Sequence, residues 1–283
     1  MLIDGKSIAQ EIINNLKNLP KQEKSFAAIL VGNAPASINF LEQKEKVAED
    51  IGVNFKIYKF PETIKNDELR KEALKITLMK KVGGVIIQLP LPDHINRQYV
   101  LNAIPREKDV DVLGERALGA FYAGRNLVLP PSVGVVEKIL QSVNYELMDK
   151  SVAIVGLGFL IGKPIANWLI GKCQKIYLLD KGFDSKILKQ AHLIITGVGR
   201  AGIIKTDMLK EEAGIIDFGY SFDENGKIRG DFDFNSLVAS GRPRRTSPKA
   251  GYPLNFYTPV PGGAGPILVA KLFENFYKLL KVF

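Results

Sequence analysis

The sequence predicts an α/β protein of two domains, the second a Rossmann-like doubly wound parallel sheet. Three observations predict it. Helical and strand-like segments alternate nearly throughout, which implies parallel strands joined by helical crossovers. The apolar run Val152 to Val155 leads directly into a glycine turn and an apolar helix, the local order of a dinucleotide-binding fold. Finally, 283 residues with 46% hydrophobic content exceed the usual size of one domain and supply two cores.

Taken in order, Phe26 to Gly32 is an apolar run of strand length and Ser37 to Ile51 carries helical spacing. Val53 to Phe60, Asp67 to Lys80 and Gly84 to Leu89 continue as strand, helix and strand. The first of these helices places Phe40 and Lys44 one turn apart on the same face. Helical lysines are usually solvated, so spacing alone leaves Lys44 open between a surface charge and an acid–base group. Val85-Ile86-Ile87-Gln88-Leu89-Pro90 ends a buried strand on a polar amide, and Gln88 there needs a partner, a lysine or a ligand. Glu107-Lys108-Asp109-Val110-Asp111 then sets carboxylates just beyond a turn.

In the second half, Gly156-Leu157-Gly158 follows the strand and Gly162 opens a helix running to about Ile170. The first glycines let backbone amides approach a pyrophosphate at the positive end of a helix, and Gly162 lets helix and strand pack closely. The next strand, Lys175 to Leu179, ends at Asp180, where a carboxylate accepts hydrogen bonds from both ribose hydroxyls of NAD and repels the 2′-phosphate of NADP. A solvated strand-end acid or a helix cap is the other reading, and Lys181 beside it keeps NADP open. Leu193 to Thr196 and Gly214 to Asp217 open onto Gly197, Gly199, Gly219 and Tyr220, which are expected to line the dinucleotide site because ligands bind at such strand ends. For each glycine the alternative is a plain turn. The run Tyr257-Thr258-Pro259-Val260-Pro261-Gly262-Gly263-Ala264-Gly265-Pro266 enters a helix to Lys281, and either caps it or brings rigid backbone close to a flat ligand.

The net charge of +9 suits anionic ligands without separating nucleotides, polyanionic small molecules and nucleic acid. Arg242-Pro243-Arg244-Arg245-Thr246-Ser247-Pro248-Lys249 is a compact basic segment expected to form an exposed loop. With no aromatic platform interleaved, it argues against nucleic acid as a partner. Cys173 is the only cysteine and reads as an inert packed thiol; with His94 and His192 lacking ligand-spaced neighbours, no metal site is expected. No apolar run reaches membrane-spanning length and Met1 to Lys6 lacks signal-peptide character, so a cytoplasmic protein without a membrane partner is expected.

Together, Ile3-Asp4-Gly5-Lys6, the Gln-Leu-Pro-Leu-Pro strand end, Lys-Asp-Val-Asp, the Gly156 turn and Thr-Pro-Val-Pro-Gly-Gly-Ala-Gly-Pro resemble the methylenetetrahydrofolate dehydrogenase/cyclohydrolase family over nearly the whole chain. The resemblance implies two α/β domains flanking a cleft, residues 1–128 with 259–283 binding folate and 129–258 binding the dinucleotide, and a homodimer. It implies oxidation of 5,10-methylenetetrahydrofolate with NAD or NADP, followed by hydrolysis of the methenyl product to 10-formyltetrahydrofolate. Lys44 would be the acid–base residue, Gln88 its hydrogen-bonding tuner and Asp111 the anchor of the pterin's amino-pyrimidine edge, with Phe40 stacking and Pro261-Gly262-Gly263 bordering the folate.

Departures from the family pattern fall at functional positions. A tyrosine is replaced by Phe40, a glycine after Asp111 by Val112, Pro-Cys-Thr-Pro by Leu129-Pro130-Pro131-Ser132, and Gly-x-Ser by Gly156-Leu157-Gly158. A serine-bearing segment is replaced by Asp180-Lys181, and the basic stretch reads as an insertion, either a solvated loop or a clamp on the polyglutamate tail of folate. Two alternatives therefore stand beside the bifunctional enzyme: an NAD-linked dehydrogenase without cyclohydrolase activity, and a non-catalytic ligand-binding paralogue.

Overall fold

The buried run Ser25–Val31 forms β1, the middle strand of a parallel sheet between β2 (Phe55–Phe60) and β3 (Val82–Ile87). A strand covered on both faces has no polar side, which is why it reads as a continuous apolar run. Helices α2 (Pro35–Asp50) and α3 (Asn66–Leu78) are the crossovers, α1 (Gly5–Lys17) precedes the sheet, and α4 (Arg97–Leu101) and α5 (Glu115–Tyr122) follow it. Pro35 stands in the first turn of α2, where a missing N–H costs nothing. The buried stripe of α2 is Ser37, Leu41, Lys44 and Ala48, so a lysine occupies a core-facing helical position.

The C-terminal helix, α8 (Ala264–Lys281), covers this sheet with aromatic rings. Phe276 stacks on Phe26 with centroids 5.1 Å apart, and Phe273 meets Phe26 edge-on at 5.3 Å. Gly84 makes the approach possible, since a Cβ there would stand 2.7 Å from the Phe276 ring and 2.5 Å from Val110.

A second sheet contains β4 (Ser151–Val155), β5 (Lys175–Leu179), β6 (Leu193–Thr196), β7 (Ala213–Asp217) and β10 (Leu254–Tyr257), all parallel, in the order β10-β7-β6-β4-β5. Helices α6 (Pro131–Ser142) and α7 (Gly162–Leu169) flank β4, and a small hairpin, β8 (Ser221–Phe222) with β9 (Ile228–Arg229), follows β7. From β4 the chain goes to one side to form β5 and then crosses to the other side for β6. The topological switch therefore lies between β4 and β6, and ligands of such sheets bind outside the strand ends at that point. Strand β10 was not expected from sequence. Its Tyr257 also receives the N-terminal residues: Ile3 N–H donates to Tyr257 O and Tyr257 N–H to Met1 O, each at 2.9 Å.

The computed structural model describes residues 1–236 and 254–281, and the basic segment Arg242 to Lys249 lies outside them. By contact the chain divides into a first unit, Ala9–Pro131 with Val269–Phe283, and a second, Met1–Ile8 with Ser132–Leu268. Residues 259–268, like Met1–Ile8, group by contact with Ser132 onward, so the chain changes unit inside α1 and again inside α8. No helix among the described residues is long and apolar enough to cross a membrane.

Candidate active site

In the first unit the structure brings Phe40, Lys44, Gln88 and Asp111 together. Lys44 is 6% exposed, and its Nζ donates to Gln88 Oε1 at 2.9 Å and stands 5.9 Å from the Phe40 ring centroid. Gln88 spends its amide donor on Leu89 O at 2.8 Å, so the oxygen is what it presents to the lysine. Burial lowers the Lys44 pKa to about 8, against the pull of the Asp111 carboxylate, which favours the charged amine. Burial likewise raises Asp111 to about 6, with Lys44 opposing. An amine on a helix face and a carboxylate on a loop, titrating on either side of neutrality, are thus held together, with Gln88 beyond the end of β3 between the amine and the backbone.

The loop presenting Asp111 is fixed by Asp109, which the sequence places in the same carboxylate run without a role of its own, and by Asn275, which the sequence reading did not single out. Asp109, 2% exposed, accepts from Leu113 N–H at 3.0 Å and Gly114 N–H at 2.8 Å through Oδ2. Burial raises its pKa to about 7, with the Gly114 N–H pulling the other way. From α8, Asn275 Nδ2 donates to Val110 O at 3.0 Å and to Leu129 O at 2.8 Å. Between these ties Val112 is held at φ 57°, the left-handed region that a β-branched residue rarely enters. The family glycine at this position is explained by that φ.

In the second unit the glycine turn has the geometry its pattern predicts. Gly156 has φ 89°, and a Cβ on Gly162 would lie 2.0 Å from Gly156 O, so no other residue lets α7 start so close to β4. A Cβ on Gly158 would meet nothing within 4 Å, leaving open space beside the turn with Leu157. Across the switch point, Gly156 and Gly197 are pressed together: a Cβ on Gly156 would stand 2.9 Å from Gly197 O. Gly199 has φ 73° and its nearest neighbour on that side is Tyr220 O at 3.7 Å, which joins the turns after β6 and β7. Asp180 is exposed at the end of β5, its Oδ1 accepting from Lys181 N–H at 3.0 Å. The cradle a side chain would fill, the helix N-terminus behind it and the strand-end carboxylate fit a dinucleotide.

Two buried carboxylates that sequence reasoning missed organise these turns. Asp231, fully buried, accepts from Thr196 Oγ1 and Val198 N–H, both at 2.7 Å to Oδ2, and from Arg200 N–H at 2.8 Å to Oδ1. Asp217 accepts from Gly219 N–H at 2.7 Å and Phe232 N–H at 2.9 Å, and burial raises its pKa to about 7 against those donors. An aspartate ending the all-buried β7 was the available signal.

Pro261, Gly262 and Gly263 form a tight turn in the second unit, grouped apart from Lys44. A Cβ on Gly5 would come 1.9 Å from Gly263 O, so this turn packs on the start of α1. A cavity of about 520 Å³ edged by Glu137, Tyr145, Trp168 and Lys172 contains none of the residues expected at either site. Cys173 is half-buried and burial raises its thiol pKa, in keeping with an unreactive side chain.

Comparison with known proteins agrees with this division of labour. Residues 3–111 match the tetrahydrofolate dehydrogenase/cyclohydrolase catalytic domain and residues 130–282 match the NAD(P)-binding domain of the same family. The bifunctional protein FolD of Bacillus licheniformis is 33% identical over 99% of this chain and 97% of its own length, and that of Bacillus subtilis is 32% identical over the same shares. The crystal structure of the bifunctional FolD of Campylobacter jejuni superposes with a TM-score of 0.90 at 31% identity, covering 100% of this chain and 99% of that one. With both domains matched in order and the buried lysine–glutamine pair on the first, the chain belongs to the tetrahydrofolate dehydrogenase/cyclohydrolase family.

Proposed function

We propose that Lys44, Gln88 and Asp111 carry the folate chemistry of this enzyme, and that the Gly156 turn, Gly162, Asp180 and the turns after β6 and β7 hold its nicotinamide cofactor. The enzyme oxidises 5,10-methylenetetrahydrofolate to the 5,10-methenyl form with a nicotinamide cofactor and hydrolyses that product to 10-formyltetrahydrofolate. The observation that carries the site assignment is the buried Lys44 amine held on Gln88 Oε1.

A neutral amine has two N–H groups and one lone pair. One N–H is satisfied by Gln88, whose orientation Leu89 O fixes, and the lone pair remains to take a proton from a water attacking the methenyl carbon. A pKa of about 8 leaves a working fraction of this base at neutral pH, and the cationic methenyl ligand lowers it further. Asp111, part-exposed and ionised above about pH 6, offers two acceptor oxygens to the N–H pair of an amino-pyrimidine edge. The cofactor, when bound, accepts the hydride; this step asks for orientation rather than a protein base, so no further acid–base residue is required.

Asp180, in place of the family serine segment, favours NAD over NADP, because the 2′-phosphate would meet a carboxylate at the end of β5. A homodimer is inferred from family membership, and sedimentation of the purified protein tests it. Turnover of 5,10-methylenetetrahydrofolate, followed with NAD and NADP in parallel, is expected with both cofactors and faster with NAD. Replacement Asp180→Ser should shift the NADP-to-NAD ratio of kcat/KM upward by about tenfold, the equivalent of one charge contact. An unchanged ratio would remove Asp180 from the ribose.

A further inference from the structure

We propose that Asp231 is a positioning residue for the dinucleotide, acting by holding the Gly197–Arg200 turn in register with the Gly156 turn across the topological switch; this rests on the dinucleotide assignment above. Three donors converge on its two oxygens: Thr196 Oγ1 and Val198 N–H on one, Arg200 N–H on the other. Thr196 is the last residue of β6, so these bonds set where the chain turns as it leaves the strand. The turn so fixed is the one whose Gly197 carbonyl abuts Gly156, while Gly197 itself would place a Cβ 2.8 Å from Ile161, which immediately precedes α7. Any shift of the 197–200 backbone is therefore passed to the glycine turn that faces the pyrophosphate.

The support behind Asp231 does not depend on its own side chain. Ile204 N–H donates to Asp231 O at 2.9 Å, Gly202 N–H to Gly230 O at 3.1 Å, and Asp233 N–H to Ile204 O at 2.8 Å, so the 230–233 backbone is paired along its length. Asp217 adds a second clasp, accepting from Asp231 N–H at 3.3 Å and Phe232 N–H at 2.9 Å. Gly219 completes the fit, because a Cβ there would come 2.4 Å from Asp231 Oδ1. The carboxylate thus stands on a rigid support and accepts through both of its oxygens from one turn.

Asparagine at this position is the same size but replaces one acceptor oxygen with a donor. Whichever way the amide faces, its NH₂ points at backbone or hydroxyl donors that had an acceptor before. For Asp231→Asn we expect the dissociation constant of NAD or NADP, measured by calorimetry, to rise on the order of tenfold or more, with the dinucleotide KM rising in parallel. Methenyltetrahydrofolate hydrolysis uses no dinucleotide, and its kcat should stay within about twofold of wild type. Thr196→Val removes a single donor and leaves both backbone bonds, so about a threefold weakening is expected; it keeps the proposal testable if the asparagine variant folds poorly.

A wild type that binds dinucleotide while Asp231→Asn binds it equally well overturns the proposal. So does an asparagine variant that loses hydrolysis in the same proportion as binding, since that is a general loss of structure. A wild type that binds neither dinucleotide overturns the cofactor assignment itself, and with it this role for Asp231.

Discussion

Buried charge serves two different ends in the two units. Around Lys44 the structure supplies one hydrogen bond and a carboxylate at a distance, and the amine is left with a pKa displaced toward neutrality. Around Asp231 it supplies three donors, two of them backbone, and the group is fastened to a turn. The contrast shows what separates a reactive buried ion from an architectural one: unspent hydrogen-bonding capacity. A group held by one partner keeps a lone pair or a proton to exchange with substrate, whereas one tied to three fixed donors holds the shape of the turn they belong to.

The comparison is broken most directly at Lys44. Removing the amine in Lys44→Met keeps the volume of the buried stripe and should lower methenyl hydrolysis by about 10²- to 10⁴-fold, the usual worth of a general base. In the wild type kcat/KM for hydrolysis should climb as pH rises toward about 8, because the base form is the neutral amine of the free enzyme, and that limb should be missing from the variant. A variant with the wild-type rate would show Lys44 to be an architectural ion after all.

Val112 sharpens the same contrast at a smaller scale. It is fully buried yet lies at φ 57°, so burying its side chain, about 1.5–3 kcal/mol, is set against a left-handed backbone costing about 1–3 kcal/mol. Val112→Ala loses two methyl groups and keeps the strain, whereas Val112→Gly loses the side chain and relieves it. Chemical denaturation should therefore rank glycine above alanine by about 1 kcal/mol, the reverse of their order in ordinary backbone. The opposite ranking would mean the Asp111 loop is not strained.

The smallest expected effect lies at the N-terminal ends of β4 and β6. Lys210 Nζ stands 2.6 Å from His192 Nε2, and Ser151 Oγ is 2.9 Å from Nδ1. Ser151 N–H donates to Nδ1 at 3.1 Å while Lys210 Nζ faces Nε2, so both ring nitrogens meet donors and a second ring proton would be set against one of them. Burial, then Lys210 and Lys150, lowers the His192 pKa from 6.5. In the unfolded chain the ring takes up its proton first, so this contribution is whole above about pH 6.5 and is lost as pH falls through the lowered folded value. Thermal melts of His192→Gln should lose less stability between neutral and mildly acid pH than the wild type; parallel acid slopes would rule the histidine out.

How much of this was legible in the sequence depended on range. Strands such as β1, β3 and β4 were readable because burial on both faces leaves a local apolar run. Lys44 was readable by resemblance, whereas spacing left it open between a surface charge and an acid–base group; the buried stripe Ser37, Leu41, Lys44, Ala48 that decides between them is a property of the folded helix. Strand β10 escaped because Leu254 to Tyr257 is short and merges with the Pro/Gly turn, its identity resting on pairing with β7. Asp231 escaped for the same reason: its partners are Thr196, Val198 and Arg200, and nothing near it in sequence announces them. The departure at Val112 was visible as a missing glycine, but the positive φ that gives it meaning is a property of the folded loop.

The pairing of Met1 and Ile3 with Tyr257 bears on the order in which this chain is made. The Met1 amine donates to Asn255 O across 254 residues of sequence, so Met1 and Ile3 find their place only once Asn255 and Tyr257 have left the ribosome. The other unit waits as well, since Phe26 is covered by Phe273 and Phe276 of the final helix. Loops of that length close slowly, and vectorial synthesis gives neither sheet its full cover early. No single cut of the gene would release either half with its core complete.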